Sequence, residues 1–420
     1  MRKIIPEIKW RGLIINTTNG ISDIFKRKVS LYSGFDPTSS SLHIGNLISI
    51  ILSIHFKNYG HNVFFLLGTS TSLIGDPSGK KGERSLMKKH DIFLYSRKIR
   101  KQLFKFSKQF KIPILNNNWN KKLKFLEFSR NIGKCFDINY MLNKDSVKKR
   151  RLSLSFTEFT YQLLQAYDFY YLYKNQKCVL QIGGSDQWGN ITCGIELIKK
   201  KQKTKVHGLT HNLLTKSDGT KFGKTENGDN IWLDPKLTSP YKFYQFWMNI
   251  SDVQAKKLIK IFTFYNKRSI YKIITLHDRA PFLRILQRKI AKATTILVHS
   301  KKTFTDIYNI NQILFNQKRK NMNTFLRKKD FLLFQKYLPC KKILLNSTNF
   351  NFKILDLLIL DNFICKSKTE VLRKIKFNSL LLNMNTFFSD YVITKKDLIY
   401  NHFILIKKGK KNFYILYFQY

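Results

Sequence analysis

The chain has 420 residues, too many for one ordinary domain, and its 43% hydrophobic fraction excludes a wholly disordered protein. Lys and Arg number 76 against 26 Asp and Glu, a formal charge of +50 that points to a polyanionic partner, RNA first. No run approaches the ~18 apolar residues of a membrane span, because Lys and Asn break every apolar stretch.

Taken in chain order, residues 1–14 (MRKIIPEIKWRGLI) lack the apolar segment of a signal peptide. Val29 to Phe35 is predicted as a strand running into a turn at Asp36-Pro37-Thr38. A buried helix follows to about Tyr59, with one of the serines before Leu42 as its N-cap. Val63 to Leu67 reads as a second buried strand, which completes the βαβ unit of a parallel sheet. From about Lys88 to Tyr173 the pattern is helical and basic, an insertion between two halves of the sheet. Cys178 to Ile182 is a third parallel strand, and His207 to Leu214 a further one.

The expected fold is therefore α/β: a Rossmann-like catalytic domain over 1–214 with its insertion at about 88–173. A polar loop and an α-helical domain follow at 215–325. Residues 326–350 read as a linker, and 351–420 as a small α+β domain. Within that last domain, Ser367 to Phe377 is predicted helical, with strands at 379–382, 402–406 and 413–418.

Five cysteines lie scattered without a C-x-x-C pair, and nine histidines show no ligand spacing. Neither a disulfide framework nor a protein-held metal is expected, and the compartment expected is the reducing cytoplasm. Residues 75–80 (GDPSGK) fail as a P-loop, which needs four residues between its glycines and a hydroxyl after its lysine. Two other short motifs suit phosphate. His43-Ile44-Gly45-Asn46 opens a helix, whose free N–H groups and positive potential attract anions, while Gly45 leaves room for a flat base. Lys221-Phe222-Gly223-Lys224-Thr225 places two cations and a hydroxyl in a polar loop, able to close over a triphosphate. Each alone also fits a plain surface feature: a histidine satisfied at a helix end, or a solvated basic loop.

Together and in this order, the pair resembles the two signatures of class I aminoacyl-tRNA synthetases. Residues 31–38 (LYSGFDPT), 73–80 (LIGDPSGK), 161–168 (YQLLQAYD), 183–190 (GGSDQWGN) and 238–247 (TSPYKFYQFW) resemble the bacterial-type tyrosyl-tRNA synthetases, as do 10–13 (WRGL). The likeness is dense from residue 10 to about 265. Further on, residues 367–383 and 409–412 resemble the small RNA-binding domain that closes this family.

The resemblance implies ATP-dependent activation of L-tyrosine to tyrosyl-adenylate and its transfer to the 3′ end of tRNA-Tyr. It implies Tyr32 and Asp168 at the substrate phenol, and Asp76, Tyr161 and Gln165 at its ammonium. Asp36 and Gln187 belong near the reacting carboxylate and phosphate, and Gly34, Gly45, Gly184 and Asp186 at the nucleotide. Thr38, His43 and Asn46 belong at the phosphates, with Lys80, Arg84, Lys221, Lys224 and Thr225 closing over them. Mg²⁺ is expected to travel on ATP, and the partners are tyrosine, ATP, tRNA-Tyr and a second copy of the chain across a surface near 136–140 and Phe156, with no DNA and no membrane.

Asn46 departs from the family's usual His, and Ser33 stands where several members have Cys. The basic clusters 148–151 and 199–201 suit either phosphate tracks or solvated faces. Two competing readings are a tryptophan-specific synthetase, which needs no polar pair for a phenol, and a non-catalytic RNA-binding descendant, which would have lost the nucleotide motifs. The +50 charge has a second source besides RNA, since an AT-rich genome over-encodes Lys, Asn, Ile, Phe and Tyr.

Overall fold

The structure is a computed structural model that describes residues 4–78, 85–142, 155–212, 223, 230–315, 326–344, 351–409 and 411–419. By internal contacts the chain divides into two units. One comprises 1–238 and 246–294, the other 239–245 and 295–420.

The first unit is built on a six-stranded sheet. Its strands are β1 (Asn16–Thr17), β2 (Ser30–Phe35), β3 (Asn62–Leu67), β4 (Ile114–Asn116), β5 (Cys178–Gly184) and β6 (His207–His211). Their spatial order is β1-β6-β5-β2-β3-β4. All neighbours run parallel except β1, which pairs antiparallel with β6 through Asn16↔Thr210. β3 carries an unbroken apolar run from Val63 to Leu67, the pattern favoured where helices cover both faces of a sheet. The order reverses between β2 and β5, and the crevice outside the carboxyl ends at such a reversal is where α/β sheets bind ligands.

Four helices pack against this sheet. α1 (Ile44–Asn58) buries ten of its residues, including Ile48, Ile51 and Phe56. α2 (Lys89–Phe110) buries a stripe at Ile92, Ile99, Leu103 and Phe106, and turns its basic residues outward. α3 (Phe156–Gln176) is capped by Ser155, whose hydroxyl accepts from the Glu158 N–H, and it packs along α4 (Trp188–Gln202). α2, α3 and α4 each end on a lysine in the left-handed region, Lys111, Lys177 and Lys203, at φ of 53°, 53° and 52°. Glycine or asparagine is the usual occupant there; lysine in all three places matches the Lys-rich composition.

Three sequence expectations need correction. The cap of α1 is His43 and not a serine: His43 Nδ1 accepts from the Asn46 N–H at 3.4 Å, and Asn46 Oδ1 accepts from the His43 N–H at 3.0 Å. The insertion at 88–173 is not wholly helical, since β4 lies within it and extends the parallel sheet beside β3. Residues 326–344, read as linker, hold a helix, Lys328–Tyr337, and β7 (Cys340–Leu344).

The second unit contains β7, β8 (Phe352–Lys353), β9 (Leu380–Leu382), β10 (Val392–Ile393), β11 (Phe403–Lys408) and β12 (Asn412–Gln419). Four of these form a sheet in the order β7-β12-β11-β9, with β7 parallel to β12 through Ile415↔Cys340. Helix Lys368–Lys376, capped by Ser367, and helix Ile354–Ile359 cover an apolar core at Leu358, Val371, Ile404, Ile406 and Leu416. Among the described residues no helix is long and apolar enough to cross a membrane, and all five cysteines are free thiols.

Candidate active site

The carboxyl ends of β2 and β5, the start of α1 and one face of α3 enclose a cavity of about 270 Å³. β2 contributes Tyr32 and Gly34 and runs on into Asp36 and Thr38. β5 ends in Gly184, and the tight turn Ser185–Gln187 supplies Asp186 and Gln187. α1 brings His43, Gly45 and Asn46. Tyr161, Gln165 and Asp168 are spaced four and three residues apart on α3, so they share one helix face; Asp76 closes the ring from the loop after β3. Every candidate site residue within the described chain thus lines one cavity. Lys80, Arg84, Lys221, Lys224 and Thr225 lie outside the described residues.

At the floor, Tyr32 and Asp168 are only 1% and 2% exposed. Asp168 Oδ1 accepts from Trp119 Nε1 at 2.7 Å and Asn120 Nδ2 at 2.9 Å, and Oδ2 accepts from Asn117 Nδ2 at 3.1 Å. Burial pushes the Asp168 carboxyl up to about 7, against the pull of those three donors. The Tyr32 hydroxyl is buried without a hydrogen-bond partner among the described residues. Burial, then the Asp168 charge, raises its pKa well above the phenol range, so it stays a donor. An unmade buried hydroxyl costs about 1–3 kcal/mol, a cost that a ligand's polar group in the cavity would remove.

Nearer the middle, the Tyr161 hydroxyl donates to Asp36 Oδ2 at 2.7 Å, and Thr71 Oγ1 donates to Asp36 Oδ1 at 2.8 Å. Asp76 accepts from Gln187 Nε2 at 2.6 Å and from the Ser78 N–H at 3.0 Å. Asn190 ties the group together by donating to Gln165 Oε1 at 3.1 Å and lying 3.3 Å from Asp76 Oδ1. Burial raises the Asp76 pKa, and its hydrogen bonds to Ser78 and Gln187 oppose the shift. The described lining includes four carboxylates (Asp36, Asp76, Asp168 and Asp186) and neither Lys nor Arg. Inside a chain of formal charge +50 this cavity is locally acidic.

The opposite side suits a nucleotide. A side chain at Gly45 would bring a Cβ within 2.7 Å of the His43 ring, so glycine is required for the imidazole to lie over the helix start. A Cβ at Gly34 would meet no protein atom within 4 Å, which leaves the end of β2 open to a ligand. Gly223, in the second signature, has φ +92°, and its carbonyl accepts from the Ile231 N–H at 2.7 Å. The Ile231 carbonyl in turn accepts from the Ile44 N–H at 3.2 Å, so backbone bonds tie the two signature motifs together.

Asn117, Trp119 and Asn120 are not singled out in the sequence, because they lie inside the stretch 88–173 that reads as a helical, basic insertion with no motif of its own. Thr71, Gln181, Ser49 and His211 were also missed. Asn190 stood at the end of a quoted motif without an assigned role.

Residues 25–316 match the model of the class I tRNA synthetases for tryptophan and tyrosine. The tyrosine--tRNA ligase of Flavobacterium johnsoniae is 44% identical over 99% of both chains, and that of Bacteroides fragilis is 42% identical over 98% of this chain and 99% of its own. The chain belongs to the tyrosyl-tRNA synthetase family. A C-terminally truncated mitochondrial tyrosyl-tRNA synthetase of Aspergillus nidulans superimposes with a TM-score of 0.68 at 30% identity, covering 75% of this chain and 95% of that one. Within a synthetase of this family, Asn46 in place of the customary histidine keeps a polar side chain on the cavity while completing the helix cap.

Proposed function

We propose that the cavity activates L-tyrosine with ATP, and that the chain, a ligase, passes the tyrosyl group to the 3′ end of tRNA-Tyr. The observation that carries this reading is the buried, unpartnered Tyr32 hydroxyl beside a three-fold-anchored Asp168 carboxylate. A phenol satisfies both, donating its proton to Asp168 and accepting from Tyr32. Phenylalanine leaves both unpaired, and that asymmetry is how a site rejects a substrate lacking one hydroxyl. Asp76 and Gln165, with Tyr161 behind them, receive the ammonium group.

The tyrosine carboxylate, ionised at neutral pH, attacks the α-phosphorus of ATP; the bond to the β-phosphate bridging oxygen breaks, and pyrophosphate leaves with that electron pair. No strong general base is needed, so catalysis is positioning plus stabilisation of charge growing on phosphate oxygens. His43 and Asn46 face those oxygens from the start of α1 and Thr38 from the segment after β2, and Lys80, Arg84, Lys221, Lys224 and Thr225 belong to the same task. Mg²⁺ accompanies ATP as part of the substrate, its ligands phosphate oxygens. In the second step a terminal ribose hydroxyl of the tRNA attacks the tyrosyl carbonyl, and AMP leaves. The setting is the cytoplasm.

ATP–pyrophosphate exchange with purified protein tests this directly. Exchange is expected with tyrosine, and not with phenylalanine or tryptophan. Exchange driven by tryptophan, or by no amino acid, would overturn the assignment. A tryptophan-specific site is disfavoured because an indole cannot serve both polar groups of the floor.

The working form is a homodimer. Phe125, Ile138 and Phe156 expose 69%, 63% and 70% of their surface around an apolar groove that also includes Phe136 and Met141. Such a patch is costly in water and suits a second copy of the chain. Phe156→Glu is expected to convert a dimer into a monomer by sedimentation; a variant that still sediments as the wild type would refute this interface.

A further inference from the structure

Ser49 lies one helical turn after Asn46 on α1 and faces the same cavity. His211 is the last residue of β6, 3% exposed, and pairs in register with Gly184, so it stands beside the end of β5 where the nucleotide is placed. His211 Nε2 and Ser49 Oγ are 2.6 Å apart, and His211 Nδ1 is 3.1 Å from the Asn212 carbonyl oxygen. A carbonyl only accepts, so Nδ1 carries the ring proton. Burial keeps the imidazole neutral, and Nε2 is then an acceptor. The Ser49 hydroxyl must donate to it, because an unprotonated Nε2 has no hydrogen to give and the only proton between the two atoms is the hydroxyl's.

We infer that His211 is a positioning residue for ATP, holding the Ser49 hydroxyl so that its lone pairs, and not its proton, face the cavity. Ser49 therefore accepts from a donor on the nucleotide, either a ribose hydroxyl or the adenine amino group. This rests on the nucleotide-binding reading above and adds to it a residue that acts through another.

The test pairs His211→Gln, which keeps an acceptor near the Nε2 position, with His211→Asn, which keeps a polar atom near Nδ1 only. Equilibrium binding of ATP to the full chain is the readout, with tyrosine binding as the internal control. One neutral hydrogen bond corresponds to about a fivefold change in ATP affinity. His211→Asn and Ser49→Ala are each expected to weaken ATP about fivefold, to be no worse when combined, and to leave tyrosine affinity unchanged. His211→Gln is expected to stay within about twofold of the wild type. The Ser49→Ala penalty should vanish with 2′,3′-dideoxy-ATP if the donor is on ribose, or with purine riboside triphosphate if it is the amino group. Unchanged ATP affinity in His211→Asn overturns the inference. So do equal losses for ATP and tyrosine, or a Ser49→Ala penalty that persists with both analogues. Because binding is measured without turnover, the wild type's exchange with tyrosine tests the function separately: wild-type exchange with no change in ATP affinity sinks only the role of His211.

Discussion

Replacing Asp168 with alanine is expected to lower tyrosine-dependent pyrophosphate exchange by about a hundredfold or more, since a hydrogen bond to a buried charge is worth about 1.5–3 kcal/mol and its loss leaves further groups unpaired. The buried donors of Asn117, Trp119 and Asn120 all converge on this one carboxylate. Their loss of a partner should also lower the melting temperature, so exchange must be measured below it. Selectivity provides the cleaner readout. With the carboxylate gone, phenylalanine no longer buries an unpaired charge, and the preference for tyrosine over phenylalanine should collapse. Tyrosine exchange at the wild-type level would remove Asp168 from the site.

The same group predicts a pH dependence. Its carboxyl is raised to about 7, so it is protonated below that value and a charged acceptor above it. The substrate phenol donates to the charged form better. Tyrosine affinity is therefore expected to rise between pH 6 and pH 8, and Asp168→Asn should flatten the profile.

Deleting residues 326–420 is expected to spare tyrosyl-adenylate formation and to reduce aminoacylation of tRNA-Tyr by orders of magnitude. The cut belongs before Leu326. β7 is parallel to β12, so a cut at 351 would leave the strand Cys340–Leu344 without its partner. The removed segment carries exposed Phe377 and Phe388, at 72% and 80%, and exposed lysines that include Lys395, Lys396 and Lys411. Exposed aromatic rings and cations are the groups with which proteins stack RNA bases and neutralise phosphates. Exchange is read from the pocket alone, charging from pocket and RNA together. Normal charging by the truncated protein would show that the C-terminal segment does not bind the tRNA.

The parallel βαβ core is readable in the chain itself, because buried strands of this kind are near-continuous apolar runs, such as Val63 to Leu67 and, broken only by Gln181, Cys178 to Ile182. The sequence also determined most of the lining of the cavity, because Tyr32, Asp36, Tyr161, Gln165, Asp168 and Asp186 stand in motifs whose order and spacing carry the family's pattern. Periodicity and motifs, however, report only what is near in the chain. The strand Ile114–Asn116 is three residues long and has meaning only beside Phe65 to Leu67; the strand Cys340–Leu344 has meaning only beside the last strand of the chain. The anchors of Asp168 lie about fifty residues before it, and His211 meets Ser49 across 162 positions. Those pairings were decided by tertiary structure alone, because a hydrogen bond between buried groups depends on where the sheet order reverses and on no local preference of either residue.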